Sequence, residues 1–412
     1  MTAGGGVRGR DHPVFLIVVT CLASIVAMIN YAIWPVFLIP LGDAWGLSNT
    51  EIGWVSGAYF IGYVAATPIL VGLTDIIDAR RIFIGGSLAA AIGSAGFALF
   101  ASGFWSAALA WALVGAGLAG TYMPGLQILN ARLSEQRRIR AVPFYTSCFS
   151  LGTGFSFVLN GTLLAHVDHR VAGWIGAGGA LIAAAAVLCL VSARLPTPRP
   201  AAQVRHPLDL RPALRNRVAL SYILAYGAHT YELFAFRGWS FALFALLGAV
   251  HGLSLGLVTG LVAVLTLAGT AASIIGGRLC LGRGRHRMIT WIGTAAAAAS
   301  VLSALMLQAP VWIALACLMT YNICIMLDSG ALTAGVVSVA GETDRGALLA
   351  VHSMVGFAGG ALGGPAVGMM LDLGGGGDAL GAWSAAILVM GAGSAMVALV
   401  QWRAWRRYGF AV

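Results

Sequence analysis

The sequence contains no lysine; all 24 of its basic residues are arginine. It is poor in charge of either sign, with charged residues at 9% and only 14 acids in 412 residues. Soluble domains carry roughly 25% charged residues. A chain this sparsely charged cannot build a water-facing surface, so lipid must be its solvent. No Gly-x-x-x-x-Gly-Lys-Ser/Thr segment occurs, which excludes ATP-driven work by a phosphate loop of this chain. There is no His-Glu-x-x-His run and no Cys-x-x-Cys pair. The six cysteines (Cys21, Cys148, Cys189, Cys280, Cys317 and Cys324) are scattered, five of them in apolar runs, and read as small buried hydrophobes. Cys280, near arginines at a helix end, has a reactive alternative. Neither a metal nor a cofactor is expected. No basic stretch is interleaved with a folded soluble domain, so the net charge of +10 does not point to nucleic acid. A cleavable signal peptide is not expected either, because the first apolar run is too long for one and lacks a small-residue cleavage site.

What is present is apolar. Hydrophobic residues make up 59% of the chain and its mean hydropathy is +0.88. Twelve helical spans are predicted, at roughly 14–38, 51–72, 82–101, 105–130, 142–164, 171–193, 218–247, 255–279, 288–307, 311–338, 347–371 and 382–402. Arg170 falls on the outer side and Arg237 within a span; the remaining 22 of the 24 arginines fall in segments that share a side with the N-terminus. Positive charge collects on the cytoplasmic side, so both termini are expected there, in an inner membrane. Trp45, Trp105, Trp174, Trp312 and Trp383 fall at predicted outer ends, where an aromatic belt belongs.

The longest polar stretch, 194–217, is rich in proline and arginine and reads as a cytoplasmic linker. It separates an expected N-terminal six-helix bundle, 1–193, from a C-terminal one, 218–412. The halves look related. At an offset of 206 residues Leu73 meets Leu279, Arg81 meets Arg287 and Ile82 meets Met288. Parallel six-helix repeats are a recognised transporter architecture.

Between spans two and three lies Val-Gly-Leu-Thr-Asp-Ile-Ile-Asp-Ala-Arg-Arg, residues 71–81. This segment resembles the loop motif of the major facilitator superfamily, with Leu73, Asp75, Arg80 and Arg81 matching and Ile76 where an arginine is usual. The resemblance implies an all-α membrane protein of twelve helices in two pseudo-symmetric halves, with no enzymatic activity. It also implies a cytoplasmic gate at Asp75, Arg80 and Arg81, where an acid at a helix end beside a basic turn locks neighbouring helices. The second-half copy, 276–287, keeps the basic residues and lacks the acid, so a weaker lock is expected there. Residues 229–239 and 327–335 look like the cyanate permease, nitrate/nitrite and oxalate/formate carrier group. The Gly-x-x-x-Gly-Pro-x-x-Gly pattern that drug/proton antiporters carry in span five occurs instead in span eleven, at 360–368. Close helix packing accounts for it there.

Ionisable side chains within the bilayer are costly, and each is a functional candidate. In span seven, His229 and Glu232 lie about 60° apart on a helix, and Arg237 lies about 80° from His229 on the other side. One cavity could receive all three, with Gly227 and Gly238 offering a local helix break between them. On this reading Arg237 binds an anionic group. Glu232 and His229, with Asp328 in span ten and His352 in span eleven, carry a coupled proton. Asp328 and His352 are expected at similar depth as a relay pair or a gate contact. Spans one, four, seven and ten line the cavity in the superfamily. Asn30, Tyr31, Trp34, Tyr122, Gln127, Tyr321 and Asn322 are therefore further solute-binding candidates, Tyr31 at the depth of Arg237 by the 206-residue offset. The competing structural account is a satisfied polar network that glues helices together. Two functions stay open: a proton-coupled carrier of a small anionic solute, working as a monomer, and proton-driven efflux of a hydrophobic or cationic compound. A non-transporting receptor on the same fold would want an extramembrane domain, for which the chain has no room.

Overall fold

A computed structural model describes residues 12–74, 76–194, 211–281, 284–341 and 344–409. These residues form fifteen helices and no strand. The helices are α1 (Pro13–Ala27), α2 (Ile33–Trp45), α3 (Asn49–Leu73), α4 (Ala79–Phe100), α5 (Phe104–Arg132), α6 (Glu135–Leu163), α7 (His169–Leu190), α8 (Arg211–Arg215), α9 (Arg217–His251), α10 (Leu255–Leu279), α11 (Arg285–Met306), α12 (Val311–Met326), α13 (Ser329–Val339), α14 (Arg345–Leu373) and α15 (Leu380–Tyr408). Eleven spans are long and apolar enough to cross a bilayer, with α12 and α13 together making one of them. The shorter α1 and α2 together make the twelfth.

The internal repeat is visible in the helix boundaries. Helices α3 and α4 reappear 206 residues later as α10 and α11, with the same offset at the start and the end of each helix.

Span one is broken where the sequence suggested a continuous helix. Pro35 has no N–H to donate to the Tyr31 carbonyl, and its ring collides with that carbonyl in a regular helix. The chain therefore turns through residues 28–32 with short-range bonds, Tyr31 N–H to the Met28 carbonyl at 3.0 Å and Ile33 N–H to the Asn30 carbonyl at 3.1 Å. Inside a membrane the freed backbone groups need partners. Helix α6 supplies them: Ser156 Oγ donates to the Ile29 carbonyl (2.6 Å) and accepts from Ala32 N–H (2.9 Å), and Asn160 Nδ2 donates to the same carbonyl (3.0 Å). Span ten breaks at Leu327–Asp328. Span seven does not break: α9 is continuous through Gly227 and Gly238. Gly227 serves packing instead, since a Cβ on the facing Gly359 would stand 2.1 Å from the Gly227 carbonyl oxygen.

The two halves meet along α3 and α14, α6 and α10, and α2 and α9. The α3–α14 seam is built on glycine. A Cβ on Gly53 would stand 2.4 Å from the Gly364 carbonyl oxygen, one on Gly57 2.4 Å from that of Ala361, and one on Gly368 2.0 Å from that of Asn49. The 360–368 pattern is thus a close-packing surface. One end of this seam is latched. Asp372, near the end of α14, accepts from the N–H and side-chain amide of Asn49 (2.9 Å each) and from the N–H and hydroxyl of Thr50 (2.9 and 2.6 Å). Its charge sits at the N-terminus of α3, where orphan donors and the helix dipole favour an anion.

Trp105, Trp174 and Trp312 are exposed at one end of the bundle, as a belt requires. Trp45 and Trp383 are not belt residues. Trp45 stacks on Trp34 at 6.3 Å, and Trp383 is buried, donating to the Gly377 carbonyl at 2.7 Å. Cys280 is buried, which fits the packing role rather than the reactive one.

Replacing Asp372 with alanine frees two backbone N–H groups at the start of α3. Hydrogen exchange at Asn49 and Thr50 should accelerate roughly tenfold, the equivalent of a lost charged hydrogen bond, while exchange in the middle of α3 stays unchanged.

Candidate functional site

Helix α9 carries three buried ionisable side chains, and they point to three different neighbours. Glu232 faces α12 and α15. Its Oε1 accepts from the Tyr321 hydroxyl at 2.6 Å, and its Oε2 accepts from the Ser394 hydroxyl. His229 faces the break in span ten, where its Nδ1 lies 2.7 Å from Asp328 Oδ1. Arg237 faces the break in span one, where its guanidinium meets the Tyr31 hydroxyl. Glu232 and Arg237 are five residues apart, about 140° around the helix, and this sends them to opposite neighbours. The single three-residue cavity expected from the sequence is therefore replaced by three adjoining sites.

Arg237 is 3% exposed, and its Nε has no hydrogen-bond partner. Among the described residues no carboxylate lies within ion-pair distance of it. Both nearby buried acids are committed elsewhere, Glu232 to two hydroxyls and Asp328 to His229.

Asp328 thus pairs with His229 and not with His352, which corrects the expected relay pair. The aspartate sits at the break itself, as the N-cap of α13, which turns its carboxylate toward α9. His352 joins through Tyr226, whose ring stacks on it at 3.8 Å and on His229 at 5.8 Å. Its Nε2 lies 3.1 Å from the Thr333 hydroxyl, while its Nδ1 and the Nε2 of His229 have no partner.

The remaining candidates divide. Tyr31 reaches Arg237, as the repeat offset implied. Tyr321 serves Glu232. Tyr122 is half-buried, stacked against Tyr145 at 5.9 Å with Phe149 edge-on at 5.4 Å. Gln127 is half-buried on the same helix, one turn further on. The other three turn away from the centre. Trp34 donates to the Ile52 carbonyl (3.2 Å) and Ser56 Oγ (3.0 Å) of α3. Asn322 donates to the Leu265 carbonyl of α10 at 2.8 Å. Asn30 packs beside Gly176 of α7. These are helix-packing contacts, and solute binding is not supported for them.

The sequence reading missed the rings between the halves. Phe60 of α3 lies 4.2 Å from Phe234 of α9, and Tyr63 lies 3.9 Å from Phe357 of α14. Tyr59 stands edge-on to Tyr31 at 5.6 Å. The signal was available in span two, where Tyr59, Phe60 and Tyr63 recur at one-face helical spacing.

A family model described as Major Facilitator Superfamily matches residues 19–364. The chain belongs to the Major Facilitator Superfamily. It is accordingly a multi-pass membrane transporter and not an enzyme. A search of curated proteins returns no match. Similar solved structures include a bacterial homologue of the human lysosomal transporter Spinster, in an inward-facing and occupied conformation, with 17% identity over 95% of this chain and 97% of that one and a TM-score of 0.77. The nucleoside transporter NupG aligns at 16% identity over 95% and 99%, with a TM-score of 0.73. A D-xylose-proton symporter aligns at 14% over 95% and 97%, with a TM-score of 0.75. At these identities the likeness is one of fold.

Of the loop-motif residues, Asp75 lies outside the described residues. Asp78 makes an ion pair, with Arg132 Nη2 at 2.9 Å from its Oδ1, and it also accepts from the N–H groups of Arg80 (3.1 Å) and Arg194 (2.7 Å). Arg80 donates to the last carbonyls of α7, those of Val187 (3.3 Å) and Leu188. Arg81 is exposed. The described contacts therefore tie α4, α5 and α7 within one half, where a lock on neighbouring helices was expected from Asp75, Arg80 and Arg81. In the second copy Arg285 does similar work without an acid, reaching the Ser338 hydroxyl and the Ala334 carbonyl (3.3 Å) of α13.

Burial raises the Asp78 carboxyl, but the Arg194 N–H, the Arg132 guanidinium and the Arg80 N–H outweigh it and hold the group below the usual aspartate value. A depressed native value stabilises the fold above the unfolded value of about 4. That contribution is lost as pH falls through the native value. Asp78→Asn should therefore destabilise the purified protein by about 1–3 kcal/mol at pH 7. The gap to the wild type should shrink steadily below pH 4 in thermal melts.

Proposed function

We propose that this transporter moves a small anion together with a proton across an inner membrane, with both termini on the cytoplasmic side. The observation that carries the reading is Arg237, a buried cation with an unpartnered Nε and no carboxylate beside it. An arginine at the bilayer centre costs about 2.5–3.5 kcal/mol on insertion scales. A negative ligand offsets that cost directly, through charge-assisted hydrogen bonds.

Charge balance links the proton to the anion. With Glu232 ionised, the empty site holds one positive and one negative group. Once an anion sits on Arg237 and a proton on Glu232, the site is neutral again. A site holding only one of the two carries a net charge through a low-dielectric centre, which is unfavourable. Both permitted states are neutral, so transport is electroneutral and follows the pH gradient. Glu232 is suited to this exchange because its partners are hydroxyls, able to accept as well as donate. The His229–Asp328 pair, with His352 beyond Tyr226, is a second proton-holding group beside it.

The halves 1–193 and 218–412, joined by 194–217, would rock about the glycine seam to alternate access. One chain contains the whole site, so a monomer suffices. Efflux of a cation would need a buried carboxylate free to receive it, and both nearby acids are already engaged.

In proteoliposomes screened with small carboxylates and inorganic anions, one class should carry protons inward. Arg237→Gln should reduce that flux at least thirtyfold. If the mutant transports the same anion normally, Arg237 is not the anion site. Glu232→Gln fixes the acid in its neutral form and should abolish pH-driven accumulation while sparing anion exchange. Exchange lost together with accumulation would assign Glu232 a structural role.

A further inference from the structure

Among the described residues Arg237 is the one buried arginine, and its surroundings are rings. Tyr31, the side chain it meets, lies edge-on to Tyr59 at 5.6 Å and to Phe149 and Phe157 at 6.3 Å each. On α9, Phe234 and Phe241 are three residues before and four after Arg237, which puts them on its face of the helix. Phe234 continues into Phe60 at 4.2 Å and toward Phe357 at 5.8 Å. The rings come from the break in span one and from α3, α6, α9 and α14, so both halves contribute.

This surround discriminates among anions. A small inorganic anion or formate gives up its whole hydration shell, and here finds one guanidinium and phenol hydroxyls, with aromatic faces elsewhere. Those faces carry partial negative charge and repel it. A dianion leaves its second charge without a guanidinium, since no other arginine is buried among the described residues. A flat ring bearing one carboxylate fits both features. Its charge goes to Arg237, and its ring makes edge-on and offset contacts with the surrounding rings.

We infer that the solute is an aryl monocarboxylate, held by Arg237 at its carboxylate and by the Tyr31–Tyr59 and Phe60–Phe234 rings at its body. This inference rests on the proposal that Arg237 is the anion site.

The test is calorimetric titration of the full-length protein in detergent with benzoate, cyclohexanecarboxylate, acetate, formate, nitrate and oxalate. Benzoate should bind at least tenfold more tightly than acetate, formate, nitrate or oxalate, and more tightly than cyclohexanecarboxylate. Phe234→Leu and Phe60→Leu should each weaken benzoate about three- to tenfold and leave acetate unchanged. Arg237→Gln should remove binding of both. If acetate, formate, nitrate or oxalate binds as tightly as benzoate, and Arg237→Gln abolishes that binding, the aryl inference falls and the anion site stands. Equal affinity for benzoate and cyclohexanecarboxylate also overturns it, because ring recognition would then play no part. If no anion binds in an Arg237-dependent way, both proposals fail. The wild-type comparisons decide the matter even if a phenylalanine variant does not fold.

Discussion

A buried positive charge, with no carboxylate within ion-pair distance among the described residues, sets the terms for everything around it. Arg237 can be tolerated there only because the chain is arranged to meet it from the other half. Tyr31 reaches it from the turn that interrupts span one, a turn that Pro35 favours because it cannot donate to the Tyr31 carbonyl. The loose backbone at Ile29 and Ala32 is stable because Ser156 and Asn160 on α6 accept the task of bonding it. A proline, two small polar side chains and one phenol thus form a single dependency that ends on the guanidinium. The two acids nearby are withheld from it, one by hydroxyls and one by an imidazole. Had either been free to reach Arg237, the pair would have neutralised itself and left nothing for a ligand to do.

The twelve spans, the repeat and the special status of Arg237 were legible from the sequence because each rests on composition or spacing. Hydropathy reports the spans, and the offset of 206 reappears residue for residue in two pairs of helices. Charges in apolar runs are conspicuous whatever the fold. Pairing was much less legible. Asp328 was assigned to His352 by depth, but a carboxylate at a helix break points where the break turns it. The glycines of span seven allowed a local break there, but α9 is continuous and the break lies in span one, ahead of Pro35. Glycine in these helices marks where a neighbour presses close, as Gly227 does against Gly359. The inward-facing tryptophans, Trp34, Trp45 and Trp383, show the same limit: position along a span does not say which way a side chain turns.

Family membership and site chemistry answer different questions here. The solved structures that align over nearly the whole chain do so at 14–17% identity, so they speak to the scaffold. What distinguishes this chain must lie in the side chains that line the centre. Among the described residues these include Arg237, Glu232, the His229–Asp328 pair and a set of aromatic rings.

The seam between α3 and α14 has a mechanical consequence. Backbone rests on backbone there, at Gly53 against Gly364 and Asn49 against Gly368, with only small side-chain atoms such as Ser56 Cβ beside those points. Interlocked side chains act like gear teeth and must be lifted out of register before two helices can slide or pivot. A surface of bare peptide groups behaves as a plain bearing instead, giving contact area with little resistance to small rotations. Friction between the halves is then concentrated at a few discrete points, the Asp372 latch and the stacked rings among them, where a ligand or a proton can act on it.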